Sequence, residues 1–376
     1  MNRTETKKTR SAGVLICGAY GMRNAGDEAV LSALLAELRK IDPDMPITVL
    51  SRAPKETQAI HGVEAIYSFN LPRVWRAMRR SRLFLHGGGS LVQDATSRRS
   101  LWYYLYTLVA AKRRHNRVML YGCGIGPVTR PGNRRLAGRI INRFVDAITL
   151  REEQSLETLR ALGVTKPEII VAAEPALALE SAPAPEVDAL CARFGMRAGQ
   201  NYFCLCVRHW PGMEQKHELF AAAAQYAREK YGLTPLLLCL NPKQDEADAA
   251  RIRELIRGET LLVTESMEAP QLIGLLGRME AVMSMRLHAL IFASSRAVPL
   301  IGVSYDPKVA SFFEYIEQTN YIDFSALSSA EQLFALIDTA MSADRETLRR
   351  EIDDLRQRAD RSRLVAQALL EKEKEA

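Results

Sequence analysis

The stretch from Ala281 to Lys308 constrains the fold more than any other. An apolar run, Ala281 to Ser284, meets a helical pattern from about Arg286 (MRLHALIFA), and a second apolar run, Pro299 to Val303, precedes a loop. Strand, helix and strand at this spacing form one βαβ unit of a parallel sheet. Ligands of such sheets bind beyond the carboxyl ends of the strands. Three unusual side chains fall there. Arg286 and His288 lie in the first helical turn, where outward N–H groups and the helix dipole favour an anion. Lys308 follows the next strand after a Tyr-Asp-Pro turn. A histidine between two cations at the rim of a sheet points to an anionic substrate and a proton transfer. The plainer reading is a helix-packing histidine beside two surface charges.

The same alternation runs through the rest of the chain. Val14 to Cys17 is a strand entering a turn broken by Gly18, Gly21 and Gly26, and Asn24 or Asp27 caps a helix with the apolar face Val30, Leu31, Leu34, Leu35 and Leu38. The glycine spacing is not GxGxxG. The next strand, Ile47 to Leu50, ends in Ser51-Arg52 where a dinucleotide fold places an acid, which argues against a dinucleotide site. Arg82 to His86 feeds Gly87 to Asp94, GGGSLVQD; its HGGG start resembles an esterase oxyanion loop, but the chain has no GxSxG elbow. Val118 to Tyr121 leads into Gly122 to Pro127, and Ala147 to Leu150 sets Arg151 at a strand end. That arginine suits a carboxylate or phosphate, or else a plain ion pair with Glu152 or Glu153. Ile169 to Ala178 closes a first domain. A Pro- and Ala-rich segment, Glu180 to Glu186, reads as a linker.

The second domain opens on Tyr202 to Val207, ending in Arg208-His209-Trp210. Helix 214–230, strand 234–240, helix 244–257, strand 260–264 and helix 269–277 follow, and 328–342 and 345–372 are helical. Strands alternating with helices predict two Rossmann-like, doubly wound parallel-sheet domains. The layout is a tail (1–12), a first domain (13–180), a linker (181–200), a second domain (201–342) and a charged terminal helix (343–376).

Composition narrows the setting. With 376 residues, 47% of them hydrophobic and 25% charged, the chain has material for two cores. No apolar run approaches a membrane span, and the polar start lacks a signal-peptide core. Six cysteines without a CxxC pair suit buried thiols in a reducing cytosol. Residues 1–150 hold 25 Lys+Arg against 10 Asp+Glu, and the remainder 26 against 34, so a basic half precedes an acidic one. Leu71 to Arg82, LPRVWRAMRRSR, concentrates five arginines around Trp75 and Met78. Such a run is a solvated helical face or a contact for an anionic membrane surface. The chain carries no nucleic-acid-binding motif, and assembly into a homo-oligomer is compatible with the sequence.

Five segments together (Gly18 to Glu28, the Gly87 to Asp94 loop, the Gly122 to Pro127 loop, AITLREE, and MRLHALIFA with VPLIGVSYDPKV) resemble the motifs of the bacterial polysaccharide pyruvyl transferases over most of residues 13–318. The resemblance is greatest to the type that modifies secondary cell-wall polysaccharides anchoring S-layer proteins. It implies a GT-B-like architecture and transfer of the enolpyruvyl unit of phosphoenolpyruvate onto two sugar hydroxyls, making a cyclic ketal and releasing phosphate. The acceptor it implies is N-acetylmannosamine on a lipid-diphosphate-linked precursor, handled in the cytoplasm at the inner face of the membrane. No cofactor and no metal are expected, phosphoenolpyruvate itself being the donor substrate.

A donor bearing a carboxylate and a phosphate needs several fixed cations, for which Arg151, Arg208, Arg286 and Lys308 are the candidates. His288, Arg151 and Lys308 match the family's catalytic positions, His288 supplying acid or base. The acceptor side falls to Gly21, Asn24, Gly26, Asp27, Glu28, Gly88, Gly89, Gln93, Asp94, Gly124 and Gly126. Glu174-Pro175 departs from the family's Asp-Pro, and one extra methylene moves the carboxylate out of its usual place. The alternative function is a GT-B nucleotide-sugar glycosyltransferase of cell-envelope polysaccharide synthesis, which fold alone does not separate. A polysaccharide- or membrane-binding protein without catalysis is a third class.

Overall fold

Short, fully apolar runs become interior strands of two parallel sheets. The computed structural model describes residues 13–371 apart from positions 23 and 96; the expected tail (1–12) and the last residues of the terminal helix (372–376) lie outside the described residues. Two compact units emerge, one reaching Pro175 and resuming at Gln357, the other spanning Ala176–Arg356.

In the first unit, β1 (Gly13–Cys17), β2 (Ile47–Ser51), β3 (Glu64–Tyr67), β4 (Ser81–Gly87), β5 (Arg117–Cys123), β6 (Ala147–Leu150) and β7 (Glu168–Val171) alternate with α1 (Ala25–Ile41), α2 (Pro54–His61), α3 (Leu71–Arg80), α4 (Arg98–Lys112), α5 (Pro131–Phe144) and α6 (Glu153–Ala161). The sheet order is β3-β2-β1-β4-β5-β6-β7, with every pairing parallel. All five residues of β1 are buried, as a strand covered by helices on both faces requires. Successive residues serve opposite faces: Leu15 and Phe84 join one core, Ile16 and Leu85 the other. The chain runs outward through β1, β2 and β3 and returns to β4 beside β1. The topological switch point therefore lies between β1 and β4.

The second unit begins with α7 (Ala184–Arg193). It continues through β8 (Tyr202–Cys206), α8 (His217–Tyr231), β9 (Thr234–Leu238), α9 (Pro242–Leu255), β10 (Leu261–Val263), α10 (Ala269–Leu276), β11 (Ala281–Ser284), α11 (Leu287–Ser294), β12 (Leu300–Ser304), α12 (Pro307–Tyr315), β13 (Tyr321–Asp323) and α13 (Ala330–Met341). Its order is β10-β9-β8-β11-β12-β13, again parallel, which puts the switch point between β8 and β11.

Three expectations need correction. The linker at 181–200 is largely the helix α7, because Val187, Leu190 and Cys191 recur at helical spacing and are buried. Its proline-rich start is a helix N-terminus, where proline is tolerated, and Val187 lies where a Cβ on Gly274 would be, 2.3 Å away. The stretch after β12 is not a loop but α12, capped by the Asp306 carboxylate accepting from Lys308 N at 3.0 Å. The terminal helix α14 (Arg345–Glu371) divides, its residues through Arg356 grouping with the second unit and those from Gln357 with the first. In the first unit Ala366, Leu369 and Leu370 enter the core, and Ser362 Oγ meets Thr149 Oγ1 at 2.9 Å.

Candidate functional site

At the switch point of the second sheet, Cys206 of β8 is aligned with Ser284 of β11, and Ser284 with Gly302 of β12. Arg208 and Arg286 each stand two residues past that rung, so register alone places both guanidiniums on one rim. Arg286 is the N-cap residue of α11, held by a tight local turn: Ser284 Oγ accepts from Arg286 N at 2.8 Å. His288 follows in the first helical turn, half-buried, its ring 6.1 Å from that of Phe292. Lys308 lies in the first turn of α12, exposed and without an ion-pair partner among the described residues. The four candidates of this unit thus sit on the carboxyl-end rim of three adjacent strands.

Both arginines are fixed from behind. Arg286 pairs with Asp245, whose side chain is wholly buried, and its Nη2 reaches Gln244 at 3.2 Å. Burial pushes the Asp245 carboxyl above its ordinary pKa, and the hydrogen bond and charge of Arg286 pull it back. Arg208 donates to Tyr305 Oη and lies 4.7 Å from that ring's centre, and Trp210 packs 4.7 Å from the same ring. Burial raises the Tyr305 pKa, with Arg208 and Arg286 acting against it. The Nε atoms of both arginines are buried and meet no hydrogen-bond acceptor among the described residues. Each guanidinium thus keeps one buried donor that no described residue satisfies.

The first unit builds its rim from backbone. Cys17 of β1 aligns with His86 of β4, so the loops after both strands flank the switch point. Gly21, at φ +72°, is pinned by Glu28, whose Oε1 accepts from Gly21 N at 2.7 Å. Asn24 caps α1, accepting from Gly26 N at 3.2 Å and donating to Asp27 at 2.6 Å. Gly88, at φ +63°, leaves no room for a side chain: a Cβ would lie 1.9 Å from Val30. Gly89 O accepts from Gly124 N, and Gly126 N donates to Val92 O, so the loops after β4 and β5 zip together beyond the sheet. Half-buried Gln93 packs over Gly126.

Two candidates of this unit carry several partners within the fold. Asp94 is buried, and its oxygens accept from Thr129 N, Thr129 Oγ1, Arg130 N and Asn133 Nδ2 at 2.7–3.4 Å. Burial alone would raise its pKa; these hydrogen bonds outweigh that and bring it to about 2. Asp94 therefore clasps the loop before α5. Arg151 realises the ion-pair reading, with a different second partner: it pairs with Glu152 at 2.5 Å and with buried Glu174 at 3.0 Å. Its Nη2 is 3.5 Å from Ser90 Oγ, and its Nε would crowd a Cβ on Gly124. Glu174, one methylene longer than the family's aspartate, thus reaches Arg151. His86 of the HGGG run is core: burial pushes its pKa down to about 3, and Nε2 meets Thr107 at 2.9 Å.

Sequence reasoning missed the residues that hold these groups. Asp245 and Asp248 lie one turn apart on α9 and are buried with Ala249 and Ile252. Acids on the apolar face of a helix were the available signal, since buried carboxylates need partners. Tyr305 carried no signal beyond its place in a turn.

Two doubly wound parallel sheets with loop-built rims define the two-Rossmann-domain class of the GT-B fold. The chain is similar to the UDP-GlcNAc 2-epimerase of Methanocaldococcus jannaschii, 14% identical, with 88% of this chain and 93% of the other covered and a TM-score of 0.62. It is similar to a glycosyltransferase of Rickettsia africae ESF-5 (10% identical, 96% and 99% covered, TM-score 0.58). It is also similar to the ADP-heptose lps heptosyltransferase II of E. coli (11%, 88% and 98%, TM-score 0.51). At such identities the likeness concerns the fold alone. The family model of polysaccharide pyruvyl transferase matches residues 24–307, and the chain belongs to that family. No curated protein sequence matches it.

Proposed function

We propose that this transferase takes its pyruvyl unit from phosphoenolpyruvate and closes a ketal on two hydroxyls of a saccharide. The observation that carries the reading is the pair of guanidiniums, Arg208 and Arg286, each two residues past the same rung at the switch point, with His288 on the same rim. Arg208 and Arg286 grip the donor's carboxylate and phosphate, with exposed Lys308 as the third cation. His288 delivers a proton to C3, which makes C2 electrophilic, and the two hydroxyl oxygens attack C2 in turn. Of the two hydroxyl protons released, one replaces the proton delivered to C3 and one leaves on the departing phosphate. Charge and atoms balance without a cofactor.

The acceptor we propose is N-acetylmannosamine carried on a lipid diphosphate, presented to the first unit at an anionic membrane surface. Supporting this, Arg73, Arg76, Arg79 and Arg80 are all exposed along α3. The large hydrophobic side chains exposed among the described residues all belong to the first unit, Tyr67, Phe69, Leu71, Trp102 and Tyr106 among them. Among the described residues no helix is long and apolar enough to cross a membrane.

The test is incubation with phosphoenolpyruvate and a synthetic lipid-linked saccharide, reading phosphate release and a mass gain of pyruvate less water on the sugar. Turnover of a nucleotide-sugar with indifference to phosphoenolpyruvate would overturn the reading in favour of a glycosyltransferase.

A further inference from the structure

The switch point of the second sheet holds a second histidine. His209 is the third residue past β8, next to Arg208 on the same rim. Its Nδ1 lies 2.9 Å from Asp248 Oδ2, and the other oxygen of that carboxylate lies 2.7 Å from His217 Nε2. Asp248 is buried on α9, one turn beyond the aspartate that holds Arg286. One helix face thus aims both an arginine and an imidazole at the rim.

A fold that only needed to compensate Asp248 has done so with His217, which is itself buried. His209 adds little to that: its side chain is 63% exposed. The effect of the contact is on orientation. A carboxylate accepts, so Nδ1–H donates, and the neutral ring carries its lone pair on Nε2, at the exposed side. A buried carboxylate fixing the tautomer of an exposed imidazole is the arrangement of a general base.

We propose that His209 is a second proton-transfer group of this centre, its Nε2 accepting the proton of an attacking sugar hydroxyl, with Asp248 as positioning residue. The inference rests on the pyruvyl transfer reading above. That chemistry gives it a place: C3 gains a proton while each hydroxyl oxygen loses one as it bonds to C2, so donor and acceptor sides need separate groups at one moment. His288 serves C3 and His209 serves the hydroxyl. The hydroxyl proton passes from oxygen to Nε2 and then to the departing phosphate. The groups facing the imidazole are Asp248 from α9 and, through that carboxylate, His217 from α8; Arg208 precedes it in the chain.

The test uses the full chain and the phosphoenolpyruvate–acceptor assay. His209→Ala should transfer pyruvyl about 10²–10⁴-fold more slowly, bind phosphoenolpyruvate as tightly as the wild type by calorimetry, and recover rate when imidazole is added. Asp248→Asn should lower kcat with little change in KM for the donor, and His209→Ala should flatten the acid limb of the kcat/KM profile. A His209→Ala enzyme that keeps the wild-type rate and acid limb refutes the inference, as does a loss of rate that imidazole does not restore. Failure of the wild type to use phosphoenolpyruvate at all would refute the underlying reading instead, so the two failures are distinct.

Discussion

The pair Arg286–Asp245 separates binding from stability. In Arg286→Leu, the wholly buried Asp245 side chain loses its guanidinium and keeps Asn241 N, at 2.9 Å, as a donor. Breaking a buried pair from one side costs about 3–5 kcal/mol. For a unit of this size that is a fall in Tm of roughly 6–20 °C. Replacing both partners, Arg286→Leu with Asp245→Leu, removes the stranded charge and leaves a deficit of about 1 kcal/mol from the lost Asn241 contact.

The pH dependence has a definite sign. The folded pKa of Asp245 is raised, so the folded state binds this proton more readily than the unfolded chain. The associated stability is present at low pH and lost as pH rises through the folded pKa. Without Arg286 to pull it down, that folded pKa moves higher. The Arg286→Leu deficit should therefore narrow on acidification toward about pH 4, the unfolded carboxyl range. The measurements are melting curves across pH beside calorimetric binding of phosphoenolpyruvate. The single variant should lose both stability and donor binding, and the double should regain stability alone. A single variant melting within a degree or two of wild type would refute the energetic argument. Donor binding restored in the double variant would refute the role given to Arg286.

Three further outcomes are expected. His288→Ala should lose about two to four orders of magnitude in turnover with little change in Tm, since Ala289, Leu290 and Ile291 hold α11 in the core. Lys308→Ala should raise the donor KM, and Lys308→Arg should not restore it, because a planar fork differs from a point charge; steady-state kinetics checks all three. Co-sedimentation with anionic vesicles should weaken steeply as salt rises and fall further when Arg73, Arg76, Arg79 and Arg80 are neutralised. Binding indifferent to salt would remove the membrane from the proposal.

Much of this architecture is legible in the sequence. Apolar runs ending in Arg208, Arg286 and Lys308 marked strand ends, and the alternation with helical periods marked the parallel sheets, because both signals are local. Boundaries erred where local chemistry carried two meanings: proline opened α7 as readily as it marks a linker, and Tyr-Asp-Pro capped a helix as readily as it makes a turn in a loop.

The division falls between the positions of charges and their allegiances. Chain order placed Arg151, Asp94, Arg208 and Arg286 at rims, since a residue just past a buried strand has nowhere else to go. Whether each is available was decided in three dimensions. Asp94 is held by Thr129 and Asn133, Arg151 by Glu152 and Glu174, and Arg286 by an aspartate 41 residues away. Arg208 finds Tyr305 across 97 residues of chain. Such pairings depend on which strands lie side by side. A buried charge must find a partner at hydrogen-bond distance, and the order β10-β9-β8-β11-β12-β13, not the spacing in the chain, brings that partner within reach.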